Sequence, residues 1–364
     1  MRSFSEIGAA VVGTGFIGVV HVEALRRLGV QVHGVVGSSH ERASMRSREL
    51  GLPPAYQDFA QMLSDKRVDV VHVTSPNHLH HEHVIAALRA GKHVVCEKPL
   101  AMTPTESLEM LEAARKSGLV HATNFNLRFY PICQHVRGLI REGGLGDVHL
   151  VSGHYLQDWL LSKTDWNWRV DPRLGGELRA VGDIGSHWMD LTAHLTGKRI
   201  ESVMADVTTF IATRLEHDVT TDDAATILVR YEGGARGAVT VSQVSPGRKN
   251  SLVFEIDGSD SSAAWDSERP DELFLGHRGR PSELLLRDPA ILNEEGRRAT
   301  SLPGGHAEGF AETFKNLYAA VYRAVAAGGP GDGYPTFADG HEQMLVNEAV
   351  RLSSSAGTWV EVKR

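Results

Sequence analysis

Over roughly the first 120 residues, short apolar runs alternate with segments of helical periodicity. The run IGAAVV, residues 7 to 12, suits a buried parallel strand, and Ile17, Val20, Ala24 and Leu28 then recur at the spacing of one helix face. The same alternation continues as a strand around VQVHGVV, a strand over 68–74, a helix over about 78–90, a strand over 93–97 and a helix over 104–117. Thr103, Pro104 and Glu106 form a start signal for the last helix, with Thr as cap, Pro at the first helical position and Glu three residues after the cap. Gly118 supplies its stop. Strand and helix in strict turn predict a doubly wound parallel sheet.

Beyond residue 120 the pattern changes. A helix over PICQHVRGLIREGG leads into strands that follow one another without intervening helices, among them ATILVRY and RGAVTVS around a Gly233-Gly234 turn, and LVFEIDG with SSAAWDS. This predicts a second, α+β domain with a large, mostly antiparallel open sheet. The boundaries read as 1–125 for the first domain and 126–364 for the second, with the helix in HAEGFAETFKNLYAAVYRAVAAG packing back on the first. A chain of 364 residues agrees with two domains.

Composition narrows the partners. With 41% apolar and 23% charged residues, and no apolar run near the ~20 residues a membrane helix needs, the chain reads as globular and not membrane-embedded. The amino terminus lacks the apolar core of a secretory signal, and the two cysteines, Cys96 and Cys133, suit a reducing compartment, so a cytoplasmic address is expected. A net charge of −7 without basic runs argues against nucleic acid and anionic membranes and for a small molecule.

Candidate chemistry begins with Gly13, Gly15 and Gly18, a GxGxxG between strand and helix. One glycine permits the tight turn, one the approach of a pyrophosphate, and one the packing of helix on strand, so the loop with Phe16 and Ile17 is a candidate dinucleotide site. The acidic residue expected at the end of the second strand is missing. Ser38 and Ser39 stand there, with Arg42 a turn later, which leaves NAD and NADP both open: Arg42 could pair with a 2′-phosphate or be a solvated helix residue. The stretch SPNHLHHEHV, Ser75 to Val84, holds four histidines. Their spacing puts His78 with His81 and His80 with His83 on different helix faces, and no HExxH occurs, so no metal is expected. In the second domain Asp183 and His187 are four apart, on one face of a helix starting near Asp183, with Asp190 and His194 extending the stripe. The residues alone leave two readings, a carboxylate tuning an imidazole for proton transfer, or a helix cap beside an interior histidine.

The GxGxxG start, the SPNHLH segment and above all AGKHVVCEKPLA, with Glu97, Lys98 and Pro99, resemble the Gfo/Idh/MocA family of glucose-fructose oxidoreductase and inositol dehydrogenase. The resemblance implies a two-domain enzyme with a Rossmann nucleotide domain that uses NAD or NADP to oxidise or reduce a secondary alcohol of a carbohydrate or polyol. It implies that Glu97 contacts the nicotinamide ribose, that Lys98 reaches the substrate, and that Asn77 and His80 lie at the cofactor; Ser75, in the same segment, is a further cofactor candidate. GDIGSH matches the family's DxxxH motif, which makes Asp183 and His187 substrate contacts and Lys98 and His187 the candidates for taking the alcohol proton. Trp168 and Arg169 resemble a loop that reaches the cofactor, although Trp168 also suits core packing. Asn126, Arg128 and Tyr130 are candidates to face nicotinamide or substrate, and His306 sits in a glycine-rich loop that could close on a ligand or simply be exposed. The polar, tryptophan-rich stretch from His154 to Arg169 suits a ring-shaped polyol, which points to a ring hydroxyl such as C3 of a sugar, anhydrosugar, glycoside or cyclitol. Two alternatives stand beside a dehydrogenase: a redox-neutral NAD-dependent glycosidase working by transient oxidation and elimination, and a nicotinamide-binding sensor without chemistry. The resemblance also implies a homo-oligomer, dimer or tetramer, formed through the open face of the second sheet.

Overall fold

The structure, a computed structural model, describes residues 2–364. In chain order its elements begin with β1 (Gly8–Val12), α1 (Phe16–Arg27), β2 (Gln31–Val36), α2 (His40–Glu49), α3 (Phe59–Ser64), β3 (Val70–Val73), α4 (His80–Arg89), β4 (His93–Cys96), α5 (Pro104–Ser117) and β5 (His121–Thr123). Next come α6 (Pro131–Arg141), β6 (Val148–Leu156), α7 (Pro172–Gly175), α8 (Ser186–Thr196), β7 (Ile200–Thr208), β8 (Thr213–Arg214) and β9 (His217–Asp218). The chain ends with β10 (Ala224–Tyr231), β11 (Arg236–Ser242), β12 (Ser251–Gly258), β13 (Ser261–Asp266), β14 (Glu272–His277), β15 (Glu283–Leu286), α9 (Glu294–Ala299), α10 (Phe310–Ala327), α11 (Phe337–Ala356) and β16 (Val360–Glu361). One compact unit takes the chain up to Asn126 together with Ala311–Met344, and the other takes Leu127–Phe310 with Leu345–Arg364.

The first unit is an all-parallel five-stranded sheet in the order β2-β1-β3-β4-β5. Its central strands are buried along their whole length, as the unbroken apolar runs require when both faces are covered. The chain order reverses between β1 and β3, and the carboxyl ends of strands at such a switch point are where open α/β sheets bind ligands. The expected start of α5 forms with one change: Thr103 Oγ1 accepts the Glu106 amide at 3.2 Å, but the Glu106 side chain reaches the Met102 amide, one residue before the cap. Gly118 ends the helix in the left-handed region, φ 66°.

The second unit is built on a nine-stranded sheet, β15-β14-β13-β12-β6-β11-β10-β7-β16. It is mostly antiparallel, but its centre is not, because β6 and β11 pair in parallel. The helices α6 and α8 cover its inner face around Trp188, Phe254, Trp265 and Tyr231. The Gly233-Gly234 turn between β10 and β11 forms as expected, with both residues at positive φ. Among the described residues no helix is long and apolar enough to cross a membrane.

Two histidines of the first unit, the half-buried His93 and the buried His121, are structural acceptors. His93 Nδ1 accepts the Val120 amide at 2.9 Å, and His121 Nδ1 accepts the Phe337 amide at 3.1 Å. Burial pushes the His121 pKa down to about 4. An unfolded imidazole takes up its proton near pH 6.5, whereas the folded one resists until about 4, so the stabilisation is complete above pH 6.5 and is lost as pH falls through that window. The thermal midpoint is therefore expected to fall between these pH values, and less steeply in His121→Asn, whose amide does not titrate; identical slopes for both proteins would contradict the assignment.

Candidate active site

At the switch point, the backbone of the loop after β1 is packed too closely for side chains. Gly13 has φ +115°, its N–H donates to Val36 O at 2.8 Å, and a Cβ there would come within 2.5 Å of Thr74. A Cβ on Gly18 would lie 2.2 Å from Gly13 O. Gly15 differs: it precedes the first turn of α1 in extended conformation, and a Cβ there would meet nothing within 4 Å. A bare, open backbone position leading into a helix N-terminus fits the pyrophosphate of a dinucleotide. Phe16, the first residue of α1, is exposed.

Beyond β2, Ser38 is exposed, and the Ser39 hydroxyl caps α2 by accepting the Arg42 amide at 3.3 Å. Arg42 itself is exposed, but Arg46, one turn on, donates through Nε to Thr14 O at 3.2 Å and so braces the glycine loop. The four histidines after β3 have separate environments. His80 is fully buried, with its ring nitrogens 2.9 Å from the carbonyl oxygens of Ser75 and Pro99, which staples the β3 and β4 edges together. Burial pulls the His80 pKa down, against the upward pull of those carbonyls and Glu97. His83 bonds the Ser75 hydroxyl at 3.0 Å, and burial pushes its pKa down to about 4. His81 pairs with Glu109 at the surface, and His78 is exposed. Asn77 is buried in the short 3-10 turn ahead of α4.

Glu97 follows β4 and is 6% exposed. Its Oε1 receives His21 Nε2 at 2.9 Å and the amide of Asn124, while the Lys98 amide approaches Oε2 at 3.3 Å. The backbone is fixed as well, by Glu97 N to Val73 O at 2.9 Å and Asn124 N to Cys96 O at 2.8 Å. Lys98 comes next, ahead of a cis bond to Pro99. Asn126 is buried and donates to Thr313 Oγ1 at 2.7 Å.

In the second unit, the helix expected to begin near Asp183 opens as a π-helix, Val181–Gly185, and continues as α8. Asp183 therefore lies inside a wide turn and not at a cap; such turns are frequent at functional sites. Asp183 Oδ2 accepts Gln243 Nε2 at 2.8 Å, and Oδ1 is 3.5 Å from Arg169 Nε. The Arg169 guanidinium stacks on Trp168 at 4.3 Å from the ring centroid. His187 is buried, with its ring 6.5 Å from that of Tyr155, and Tyr155 donates to Asn250 at 2.8 Å. The neighbouring Trp188 locks α8 to the sheet through Nε1 to Val253 O at 2.9 Å.

The π-turn is pinned from behind by a wholly buried ion cluster. Asp222 accepts the backbone amides of Arg179 and Val181, and Asp223 pairs with Arg179 and, at 2.9 Å, with Arg214. Arg214 also donates to the carbonyls of Leu160 at 2.6 Å and Ser162 at 2.8 Å, which ties the tryptophan-rich segment to the same cluster. Arg128 forms a two-pronged buried pair with Asp190, and Tyr130 packs on Trp265 at 4.9 Å. His306 is exposed, its Nδ1 3.3 Å from Gly304 O, and the half-buried His154 reaches Ser251 at 3.4 Å.

Sequence reading missed His21, His72, Asn124, Gln243 and the Arg179–Asp223 cluster. Two of these left a signal. His21 falls on the apolar stripe of α1 with Ile17 and Ala24, and His72 interrupts the apolar run of β3, so each was a polar residue at a position expected to be buried.

Comparison with known proteins extends the match beyond the site. Residues 7–125 match an oxidoreductase family described as having an NAD-binding Rossmann fold, and residues 133–264 match the GFO/IDH/MocA C-terminal domain. Levoglucosan dehydrogenase of Pseudarthrobacter phenanthrenivorans is 30% identical over 98% of each chain. A solved levoglucosan dehydrogenase in complex with NADH and levoglucosan superposes at TM-score 0.92, with 30% identity, over 98% of this chain and 99% of that one. An inositol dehydrogenase homologue from Azotobacter vinelandii, complexed with NAD+, gives 0.90 at 29% identity over 99% and 98%. With both family domains matched in order and a relative similar over nearly its full length, the chain belongs to the Gfo/Idh/MocA family of oxidoreductases.

Proposed function

We propose that this chain is an NAD(P)-dependent dehydrogenase acting on a secondary ring hydroxyl of a sugar, anhydrosugar or cyclitol. The observation that carries the reading is the Glu97-Lys98-Pro99 segment, held by His21 and Asn124 at the carboxyl edge of the parallel sheet, in a chain similar end to end to levoglucosan dehydrogenase. Bound nicotinamide supplies the hydride acceptor or donor. The protein's part is binding, orientation and proton handling. The backbone of Gly13, Gly15 and Gly18, with Phe16 and Ile17, holds the pyrophosphate, and Ser38, Ser39 and Arg42 serve the adenosine end. Ser75, Asn77 and His80 shape the same sheet edge, and Glu97 holds the nicotinamide ribose. Lys98 or His187 takes the alcohol proton, and Asp183, charge-balanced by Arg169, orients the substrate. Arg128 acts through Asp190 as a support, and Trp168 acts through Arg169.

The test is NAD+ and NADP+ reduction over a panel of levoglucosan, other anhydrosugars, free sugars, cyclitols and glycosides, with product identification by mass spectrometry. The expected result is reduced cofactor with a keto product. Aglycone release without reduced cofactor would instead make the oxidation transient, and cofactor binding without turnover on any member would make the protein a sensor. Lys98→Ala and His187→Ala are each expected to lower kcat by about 10²–10⁴-fold, the size of a lost general base or of a lost group that orients it. Near-normal kcat in both would remove the assigned roles.

A further inference from the structure

Behind Glu97 runs a buried row of polar groups that the proposed proton transfer does not use. His21 Nε2 is 2.9 Å from Glu97 Oε1, His21 Nδ1 is 3.0 Å from His72 Nδ1, and His72 Nε2 is 3.0 Å from the Tyr322 hydroxyl. The row joins β4, α1, β3 and α10, and His21, His72 and Tyr322 are each 0% exposed. The imidazole rings meet edge to face at 5.2 Å, and Tyr318 packs against both.

A row at this depth has few consistent proton arrangements. A neutral imidazole has one N–H and one lone pair, and two facing Nδ1 atoms need one proton between them. Among the described residues, the Tyr322 hydroxyl has His72 as its hydrogen-bond partner, so its O–H points at His72 Nε2; the opposite arrangement would bury a hydroxyl proton without an acceptor. His72 then carries its proton on Nδ1 and donates it to His21 Nδ1, and His21 carries its proton on Nε2 and donates it to Glu97. Every donor points the same way. The reverse order requires either an imidazolium at His21, enclosed by His72, Phe314 and Tyr318, or a protonated Glu97, and in both cases leaves the Tyr322 proton orphaned. Burial and the neighbouring His21 keep His72 in its neutral form.

We propose that Tyr322, His72 and His21 are positioning residues that form a one-way donor chain, holding Glu97 as an ionised carboxylate in one orientation for the cofactor. The neutral chain brings no positive charge behind the carboxylate, so the charge of Glu97 is not cancelled from that side. Asn124 adds a second donor to the same oxygen from the β5 side. The proposal rests on the reading that Glu97 holds the nicotinamide end, but the proton arrangement itself does not depend on any substrate.

The first test is nitrogen-15 NMR of the histidine side chains in the full-length protein without ligand, near neutral pH. His72 is expected as the Nδ1–H tautomer and His21 as the Nε2–H tautomer, both neutral. An Nε2–H tautomer at His72, or an imidazolium at His21, overturns the chain. The second test is NADH affinity, followed by nicotinamide fluorescence. His21→Leu is expected to weaken binding about tenfold or more, the loss of one hydrogen bond to a charged group. His21→Gln, whose amide N–H can replace Nε2–H, is expected to stay within about threefold of the unsubstituted protein. Equal weakening in both variants, or none in either, contradicts the positioning role. If His21→Leu does not fold, the His21→Gln affinity and the tautomers still decide. Failure of the unsubstituted chain to bind NADH would overturn the functional reading while leaving the tautomer result to stand or fall alone.

Discussion

A carboxylate at the end of a buried parallel strand has to be met by donors, and a row of buried polar side chains in the first unit meets that need for Glu97. An uncompensated buried charge would cost several kcal/mol. The solution draws on four places in the chain: the residue after β4 supplies the carboxylate, α1 supplies His21, the segment after β5 supplies Asn124, and β3 supplies His72 behind His21. The helix that begins at the glycine loop thus carries on its buried face the histidine that fixes Glu97. Displacing α1 would disturb the glycine loop and the carboxylate together. This explains why Gly13 and Gly18 leave so little room: the close fit of loop, helix and strand sets the position of His21.

The second unit meets a similar problem by a different route. Asp183 lies in a π-turn, whose wider backbone leaves irregular hydrogen bonding to be satisfied. Asp222 accepts the amides of Arg179 and Val181 at the entry of that turn, and Trp188 anchors the following helix to β12. Arg179 and Arg214 share Asp223 as their ion-pair partner, and the Asp222 carboxylate is met by two backbone amides, so each buried carboxylate has its donors. The same cluster ties down the backbone at Leu160 and Ser162. The segment read as suited to a ring-shaped polyol is therefore braced by the cluster that braces Asp183.

The sequence disclosed the periodic and punctuated features well. The alternation of strands and helices up to residue 120, the GxGxxG turn, and the start and stop of α5 are local patterns, and local patterns are what one chain displays. The second sheet was legible as consecutive strands, but the parallel pairing of β6 with β11 was not, since it joins residues 86 apart, such as Leu150 and Arg236, through a register that no short window contains. The π-turn at Asp183 was hidden because its spacing to His187 is what an α-helix would also show. Arg128 illustrates the commonest ambiguity: a lone arginine in a polar cluster reads as a ligand contact, while its two-pronged partner, Asp190, lies 62 residues away. His21 and His72 were visible only as polar residues in apolar positions, and that signal says a partner exists without naming it.

The most direct measurement is a crystal structure of the protein with bound NAD+. The pyrophosphate is expected against Gly15 at the start of α1, and the nicotinamide ribose within hydrogen-bond reach of Glu97, with His21 and Asn124 still on that carboxylate. A dinucleotide bound with its nicotinamide end away from Glu97 and Lys98, or a Glu97 side chain swung off His21, would contradict that arrangement.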